Sequence, residues 1–434
     1  MKYLTSQIRA IMPTAVTGSV VRTEGAATAV AGFPAPVGAL VEIERQTGEP
    51  VSGEVIGFRE ELTLVSPLGD MTGVRYGSRV RLARTARFIR VGEGLLGRVI
   101  NGHGEPIDGR PEPPLEDRTI VNRCAPPAYE RPHIDTPLST GIRAIDGLLP
   151  CGRGQRMGVF SGAGVGKSVL LGMLARHSEA DVNVIALIGE RGREVKEFVE
   201  GNLDPEGLKK SVMIVATSDE PALVRVEAAM TATAVAEYFR DRGKNVLLAM
   251  DSLTRFAMAG REIGLAAGET PATRGYPPSV FASLPRLLER AGCDQQGSIT
   301  GFYSVLVEGD DINEPISDAA RSLLDGHIVL SRKLASAGDY PAIDIVDSMS
   351  RLAQDIAPQE QMAAIAKVRG LLAEYRHHED IISIGAYRPG SNPSVDAAIT
   401  MRDQIRRYLC QGVDELCSPA SARETLLDLT RHMP

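Results

Sequence analysis

Residues 155 to 170, Gln-Arg-Met-Gly-Val-Phe-Ser-Gly-Ala-Gly-Val-Gly-Lys-Ser-Val-Leu, constrain the fold of this chain more than any other stretch. A β-type run (Met157, Val159, Phe160) leads through three glycines (Gly162, Gly164, Gly166) to Lys167-Ser168, and a helical pattern then runs from Val169 to Arg176. Strand, glycine turn and helix start in that order make a phosphate cradle. Glycines let backbone N–H groups face oxygens, and the first amides of a helix carry partial positive charge. In such a loop Gly162, Ala163, Gly164, Val165, Gly166, Lys167, Ser168 and Val169 surround the phosphates. Lys167 reaches the β- and γ-phosphates and the Ser168 hydroxyl ligates magnesium. The general pattern has Gly five residues before Gly166; Ser161 stands there instead, small enough for a tolerated turn. An ordinary glycine-rich turn is the alternative, and the intact Gly-Lys-Ser argues against it. The pattern implies a nucleotide site.

At 434 residues the chain exceeds one ordinary core, so two or three domains are expected. A net charge of −7 gives no general footprint for nucleic acid or anionic lipid. Trp is absent and aromatics are 4%, which leaves few platforms for stacking bases. The five cysteines (Cys124, Cys151, Cys293, Cys410, Cys417) contain no C-x-x-C pair and fit buried thiols of a reducing cytosol. The first thirteen residues lack a signal-peptide core, and no run approaches ~18 apolar residues, so any link to a membrane must come through partners.

The chain divides into four parts. Residues 1–13 form a short tail with Leu4, Ile8, Ile11 and Met12 at helical spacing before Pro13; docking on its own chain and binding a partner are both open for it. Residues 14–83 hold short β-rich runs (17–22, 39–44, 54–56, 62–65 and 79–82) punctuated by Gly, Pro and Asp, which predict a small closed barrel without chemistry of its own. Residues 84–356 form the nucleotide-binding part, opened by a Gly- and Pro-rich connector from 84 to 150. Beyond the phosphate loop, apolar runs at 182–188, 212–216, 246–250 and 299–307 alternate with helical stretches such as 222–240, which predicts a parallel sheet buried on both faces. Residues 357–434 read as a helical domain, with Met362, Ile365, Leu372 and Tyr375 on one helix face and Met401, Ile405, Tyr408 and Leu409 on another.

Three further residues carry candidate chemistry. Asp251 ends the apolar run Val246–Met250, so it falls on the ligand-binding edge of such a sheet, where an acid can hold the magnesium shell. Glu190 follows another apolar strand and opens the turn Glu190-Arg191-Gly192-Arg193-Glu194. It could polarise a water for attack on the γ-phosphate. On spacing alone an acidic cap on the next helix explains it slightly better. Arg351, in Asp347-Ser348-Met349-Ser350-Arg351, is by itself either a surface arginine or one that neutralises charge on a transferring phosphoryl group.

Taken with their surroundings, these residues resemble the rotary-ATPase superfamily, and within it the ATPases of bacterial type III export, most closely the flagellar ones. The matching stretches are Pro137-Leu138-Ser139-Thr140-Gly141-Ile142-Arg143-Ala144-Ile145-Asp146-Gly147, Gly152-Arg153-Gly154-Gln155-Arg156 with the phosphate loop, and Ile188-Gly189-Glu190-Arg191-Gly192-Arg193-Glu194-Val195-Lys196-Glu197-Phe198. They continue through Ala216-Thr217-Ser218-Asp219-Glu220-Pro221-Ala222, Asp251-Ser252-Leu253-Thr254-Arg255-Phe256-Ala257 and Arg274-Gly275-Tyr276-Pro277-Pro278-Ser279-Val280-Phe281. The resemblance implies a RecA-like α/β core between an N-terminal β-barrel and a C-terminal helical domain. It implies ATP and Mg2+, with Glu190 as the catalytic carboxylate and Arg191 and Arg255 near the γ-phosphate. Arg351 matches the arginine lent to a neighbour's site, and Tyr340 resembles the tyrosine stacked on adenine, with a packed core aromatic as the alternative. It further implies a homohexamer in the cytoplasm, peripheral to the inner membrane through an export apparatus, with a stator-like regulator, stalk proteins, export substrates, chaperones and a membrane export gate as partners, and no nucleic acid. The tail before Pro13 looks short for the segment that contacts the regulator. Three other readings share the core: an injectisome ATPase, an RNA-translocating termination ring, and an inactive regulatory subunit. The second would want a basic, aromatic barrel, and this one has Phe33, Phe58 and Tyr76; the third is disfavoured because every catalytic group is present.

Overall fold

The computed structural model describes residues 16–24, 26–307, 314–431 and 433; the tail expected over residues 1–13 lies outside them. Six strands, Thr17–Glu24, Ala27–Ala31, Leu40–Ile43, Val51–Arg59, Leu62–Pro67 and Arg79–Arg84, close into an antiparallel barrel. The last strand pairs back onto the first, Thr17 opposite Arg81. Alternating side chains point inward, so Val41, Ile43, Val51, Val55, Val65 and Val80 fill the interior. Gly53 sits where a Cβ would come within 2.8 Å of a Val65 methyl, so strand contact there requires glycine. The sequence reading has five of these strands and misses Ala27–Ala31. Alanine has weak strand preference, and this segment is a strand because its neighbours pair with it on both sides.

The central sheet runs, in spatial order, Ile343–Ser350, Gly326–Leu330, Arg156–Ser161, Ser298–Leu306, Asn245–Asp251, Val182–Glu190, Ser211–Thr217 and Arg98–Asn101. Neighbours are parallel except for the first pair, and Gly292–Cys293 adds a short antiparallel piece to Ser298–Leu306. Both faces are buried, which is why the inner strands are apolar without alternation. Val184, Ala186 and Ile188 join one core with the helices Ala222–Arg240 and Leu253–Ala266. Ile185 and Leu187 face the other core, with the helix Lys167–His177. At about 1.5–3 kcal/mol for each large apolar side chain buried, these two layers dominate the stability of the fold.

The segment read as a connector does more than link. Its strand Arg98–Asn101 is hydrogen-bonded in parallel to Ser211–Thr217 and closes that side of the sheet. Buried Arg98 is held there by both oxygens of Asp108, at 2.6 and 2.7 Å. The C-terminal helices Gln359–Ser383, Pro393–Leu409 and Pro419–Arg431 bring Ile365, Val368, Met401, Ile405, Tyr408 and Leu426 into the same core as the helix Lys167–His177. The helical part is thus continuous in packing with the face behind the phosphate loop. Of the five thiols, expected to be buried, Cys151 and Cys417 are; Cys124 is exposed, and Cys293 and Cys410 are half-buried.

Candidate active site

Parallel pairing fixes which residues meet. With Leu187 in register with Asp251, and Ser161 beside both Leu306 and Leu330, the strand tips carrying Ser161, Glu190 and Asp251 open on one edge of the sheet. The phosphate loop leaves from that edge. Gly166 precedes the helix Lys167–His177 at φ 99°, a left-handed conformation that favours glycine, and no side chain caps the helix. Its first amides therefore have no internal partner, as an anion site requires. Val165 and Gly162 are buried, while Ala163, Gly164, Ser168 and Val169 face outward. Ser161 is the last residue of its strand: its carbonyl accepts from the Val307 amide at 3.0 Å, and its hydroxyl is buried without a partner among the described residues.

Lys167 reaches back across this edge. Its Nζ lies 2.5 Å from Asp251 Oδ1 and 3.8 Å from Glu190 Oε1. Asp251 also accepts from the Ser304 hydroxyl at 2.7 Å. Ser304 has no counterpart in the sequence reading; the only signal is a polar residue inside the apolar strand Ser298–Leu306. Burial pushes the Glu190 carboxyl up to about 7, and the negative charge of Asp251 adds to that push while Lys167 and Arg255 oppose it. Glu190 Oε1 is buried with no hydrogen-bond partner among the described residues.

The other candidates fall into two groups. Arg255, in the first turn of Leu253–Ala266, lays its stem over Gly189, where a Cβ would stand 3.0 Å from Arg255 Cβ. Tyr340 comes from the far side: its ring would be 3.5 Å from a Cβ on Gly166, and 45% of the residue is exposed. Arg191 projects outward, paired with Glu194 at 3.3 Å. Arg351 is elsewhere. The strand Ile343–Ser350 runs antiparallel to Gly326–Leu330, Ile343 opposite Leu330 at the phosphate-loop edge and Ser350 opposite Gly326 at the other. The pairing bulges between His327 and Val329, so the distance follows the partner strand. Asp325, whose carbonyl holds the Arg351 backbone N–H, is five residues from Leu330, and at about 3.3 Å each this puts Arg351 roughly 17 Å from the edge where Lys167 and Glu190 meet. There it is exposed, and its Nη2 donates to the Arg321 carbonyl at 3.0 Å.

Comparison with known proteins gives a consistent result. The nucleotide-binding domain of the ATP synthase alpha/beta family matches residues 141–350, the beta-barrel domain of that family matches 13–82, and the T3SS EscN ATPase C-terminal domain matches 357–428. The chain is 49% identical over 415 residues to a flagellum-specific ATP synthase of Bacillus subtilis, covering 96% of this chain and 93% of that protein. It is 48% identical over 414 residues to a type 3 secretion system ATPase of Xanthomonas euvesicatoria, covering 95% and 94%. It superposes with a TM-score of 0.87 and 44% identity on the assembled ATPase EscN in complex with its central stalk EscO, from the type III secretion system of enteropathogenic E. coli, covering 95% of this chain and 99% of that one.

Proposed function

Because the chain belongs to the ATP synthase alpha/beta family, as one of its export-type ATPases, we propose that it hydrolyses ATP at the seams of a homohexameric ring that drives unfolding and export of flagellar proteins. The observation that carries this reading is the placement of Arg351. Lys167, Glu190 and Asp251 converge at one edge of the sheet, whereas Arg351 lies exposed at the opposite edge of the same sheet. An arginine side chain extends about 7 Å from its backbone, too short to reach its own subunit's phosphates along a strand rising about 3.3 Å per residue. This favours a phosphate in a neighbouring subunit as its target over one in its own, and a heterologous contact of that kind forms a ring where the rotation between subunits closes.

In this reading the triphosphate binds in the loop Gly162–Ser168, with adenine against the half-exposed Tyr340 ring. Lys167 exchanges its ion pair with Asp251 for the β- and γ-phosphates. Glu190, held near neutral pH by its surroundings, accepts a proton from the attacking water. Arg255 and the neighbour's Arg351 balance charge on the transferring phosphoryl group, joined by Arg191 once it leaves its outward pair with Glu194. The donor set fits magnesium: the Ser168 hydroxyl and the Asp251 carboxylate are hard oxygen ligands, and Glu190 Oε1, buried without a hydrogen bond among the described residues, faces the same Lys167 that pairs with Asp251. Ser168 and Asp251 would hold the ion, whose charge favours the in-line transfer.

Among the described residues no helix is long and apolar enough to cross a membrane, so contact with an export gate would run through partners, including a stator-like regulator, chaperones and export substrates. The complex of EscN with its central stalk favours a stalk protein as a further partner. The almost equal similarity to a type 3 secretion system ATPase keeps injectisome secretion as the second reading. Two experiments test these points. Lys167→Ala and Glu190→Gln should each abolish phosphate release; unchanged turnover in either would reject the site. Deleting the gene should stop filament assembly, and loss of effector delivery with motility intact would move the protein to the injectisome.

A further inference from the structure

The strand that delivers the phosphate loop is pinned at its other end by bonds that hydrolysis in the subunit's own site does not use. Gln155 is fully buried immediately before Arg156–Ser161. Its side-chain carbonyl accepts from the Gly152 amide at 2.8 Å. Its side-chain nitrogen donates to the Asp325 carbonyl and to the Ser350 hydroxyl oxygen, both at 3.1 Å. Ser350 Oγ passes its own hydrogen to the Pro150 carbonyl at 2.6 Å. The Asp325 carbonyl also accepts from the backbone N–H of Arg351, at 2.9 Å. The Asp325 carboxylate takes three bonds from Arg156, from its backbone N, Nε and Nη2, each at 3.0 Å. The backbone of Arg351 and the base of the phosphate-loop strand thus share one acceptor, Asp325. Gln155 spans that acceptor and the residue preceding Arg351.

We propose that Gln155 is a positioning residue for the neighbour's reaction: with Asp325 it locks the backbone of Arg351 to the strand whose far tip holds the subunit's own phosphate loop. The loop a subunit uses leaves from one end of this strand, and the arginine it lends is tied through Asp325 and Gln155 to the other end. The bonding requires a group with one acceptor and two donors at this point, which a primary amide supplies and a carboxylate of the same shape does not. This inference rests on the reading of Arg351 as an arginine acting in trans.

The test separates the two. Gln155→Glu keeps the acceptor for Gly152 and removes both donors, while leaving the phosphate loop unaltered. The purified ring should lose at least about tenfold in kcat, as a misplaced arginine finger requires. Its KM for ATP should stay within about twofold, because its own cradle still binds. Mixing it with Lys167→Ala, which has no cradle but an undisturbed Arg351, should restore activity at roughly a quarter of the seams, those pairing a good loop with a good finger. Arg351→Ala mixed with Lys167→Ala is the control. If the control mixture recovers and the Gln155→Glu mixture does no better than its parts, or if Gln155→Glu turns over like the unaltered protein, the inference is overturned and the finger reading stands. If the control mixture also fails to recover, the finger reading falls and takes the inference with it. Should Gln155→Glu not fold, Ser350→Ala removes a single hydroxyl of the same set and is read in the same way.

Discussion

Glu190 gives a prediction in which stability and activity move in opposite directions. Its side chain is 15% exposed, and its carboxyl has been raised from an ordinary 4.5 to about 7, first by burial and then by Asp251. A carboxyl that ionises at 4.5 unfolded and at about 7 folded imposes no penalty below pH 4.5. The penalty grows between the two values and is complete above pH 7. At 1.36 kcal/mol per tenfold change in proton affinity, the ionised group weighs on the ligand-free fold by about 3 kcal/mol at pH 8, reduced toward 2 by the solvent that reaches it. Glutamine matches the neutral acid in shape and escapes this penalty. Glu190→Gln should therefore unfold about 5 °C higher than the unaltered protein at pH 8 without nucleotide or magnesium, taking roughly 2 °C per kcal/mol for a domain of this size. The advantage should shrink below about 1 kcal/mol at pH 5 and vanish under pH 4. Thermal scans of both proteins across that range, with phosphate release measured in parallel, read the result. Equal melting temperatures at pH 8, or an advantage that persists unchanged at pH 4, would refute the account of Glu190 as a carboxylate forced into an unfavourable place.

Other outcomes follow from the same structure. Arg290 and Glu237 are each 1% exposed and joined by two bonds at 2.9 and 2.8 Å. Glu237→Ala should thus lose about 3–5 kcal/mol in denaturant unfolding by stranding the guanidinium, and an apolar double replacement should lose less. If Tyr340 stacks on adenine, Tyr340→Ala should raise the KM for ATP roughly tenfold while Tyr340→Phe leaves it nearly unchanged, as measured by steady-state kinetics.

The parts legible in the sequence are those dictated by neighbours along the chain. The phosphate loop is a local strand–turn–helix, and the strands 182–188 and 246–250 are apolar because both faces of the sheet are covered. The strands that escaped reading are short, polar or alanine-rich and owe their form to partners far away. Arg98–Asn101 is a strand because Ser211–Thr217 offers it an edge and Asp108 satisfies its arginine. Gly326–Leu330 alternates buried and half-exposed positions, and Ile343–Ser350 mixes buried, half-exposed and exposed ones, at the margin of the sheet. The hydroxyl of Ser304 on Asp251, and the opposition of Tyr340 and Arg351 across one strand, follow from register, which no single segment encodes.

The strands of the front barrel close on one another, the last pairing back onto the first. Among the described residues it has no outermost strand onto which a second chain could zip its backbone as it would on an open sheet. Whatever meets it must hold on through side chains alone, and contacts of that sort can be let go and made again. Contacts made on such terms leave the barrel itself intact when they part, and a closed barrel resists fusing with other copies into fibres.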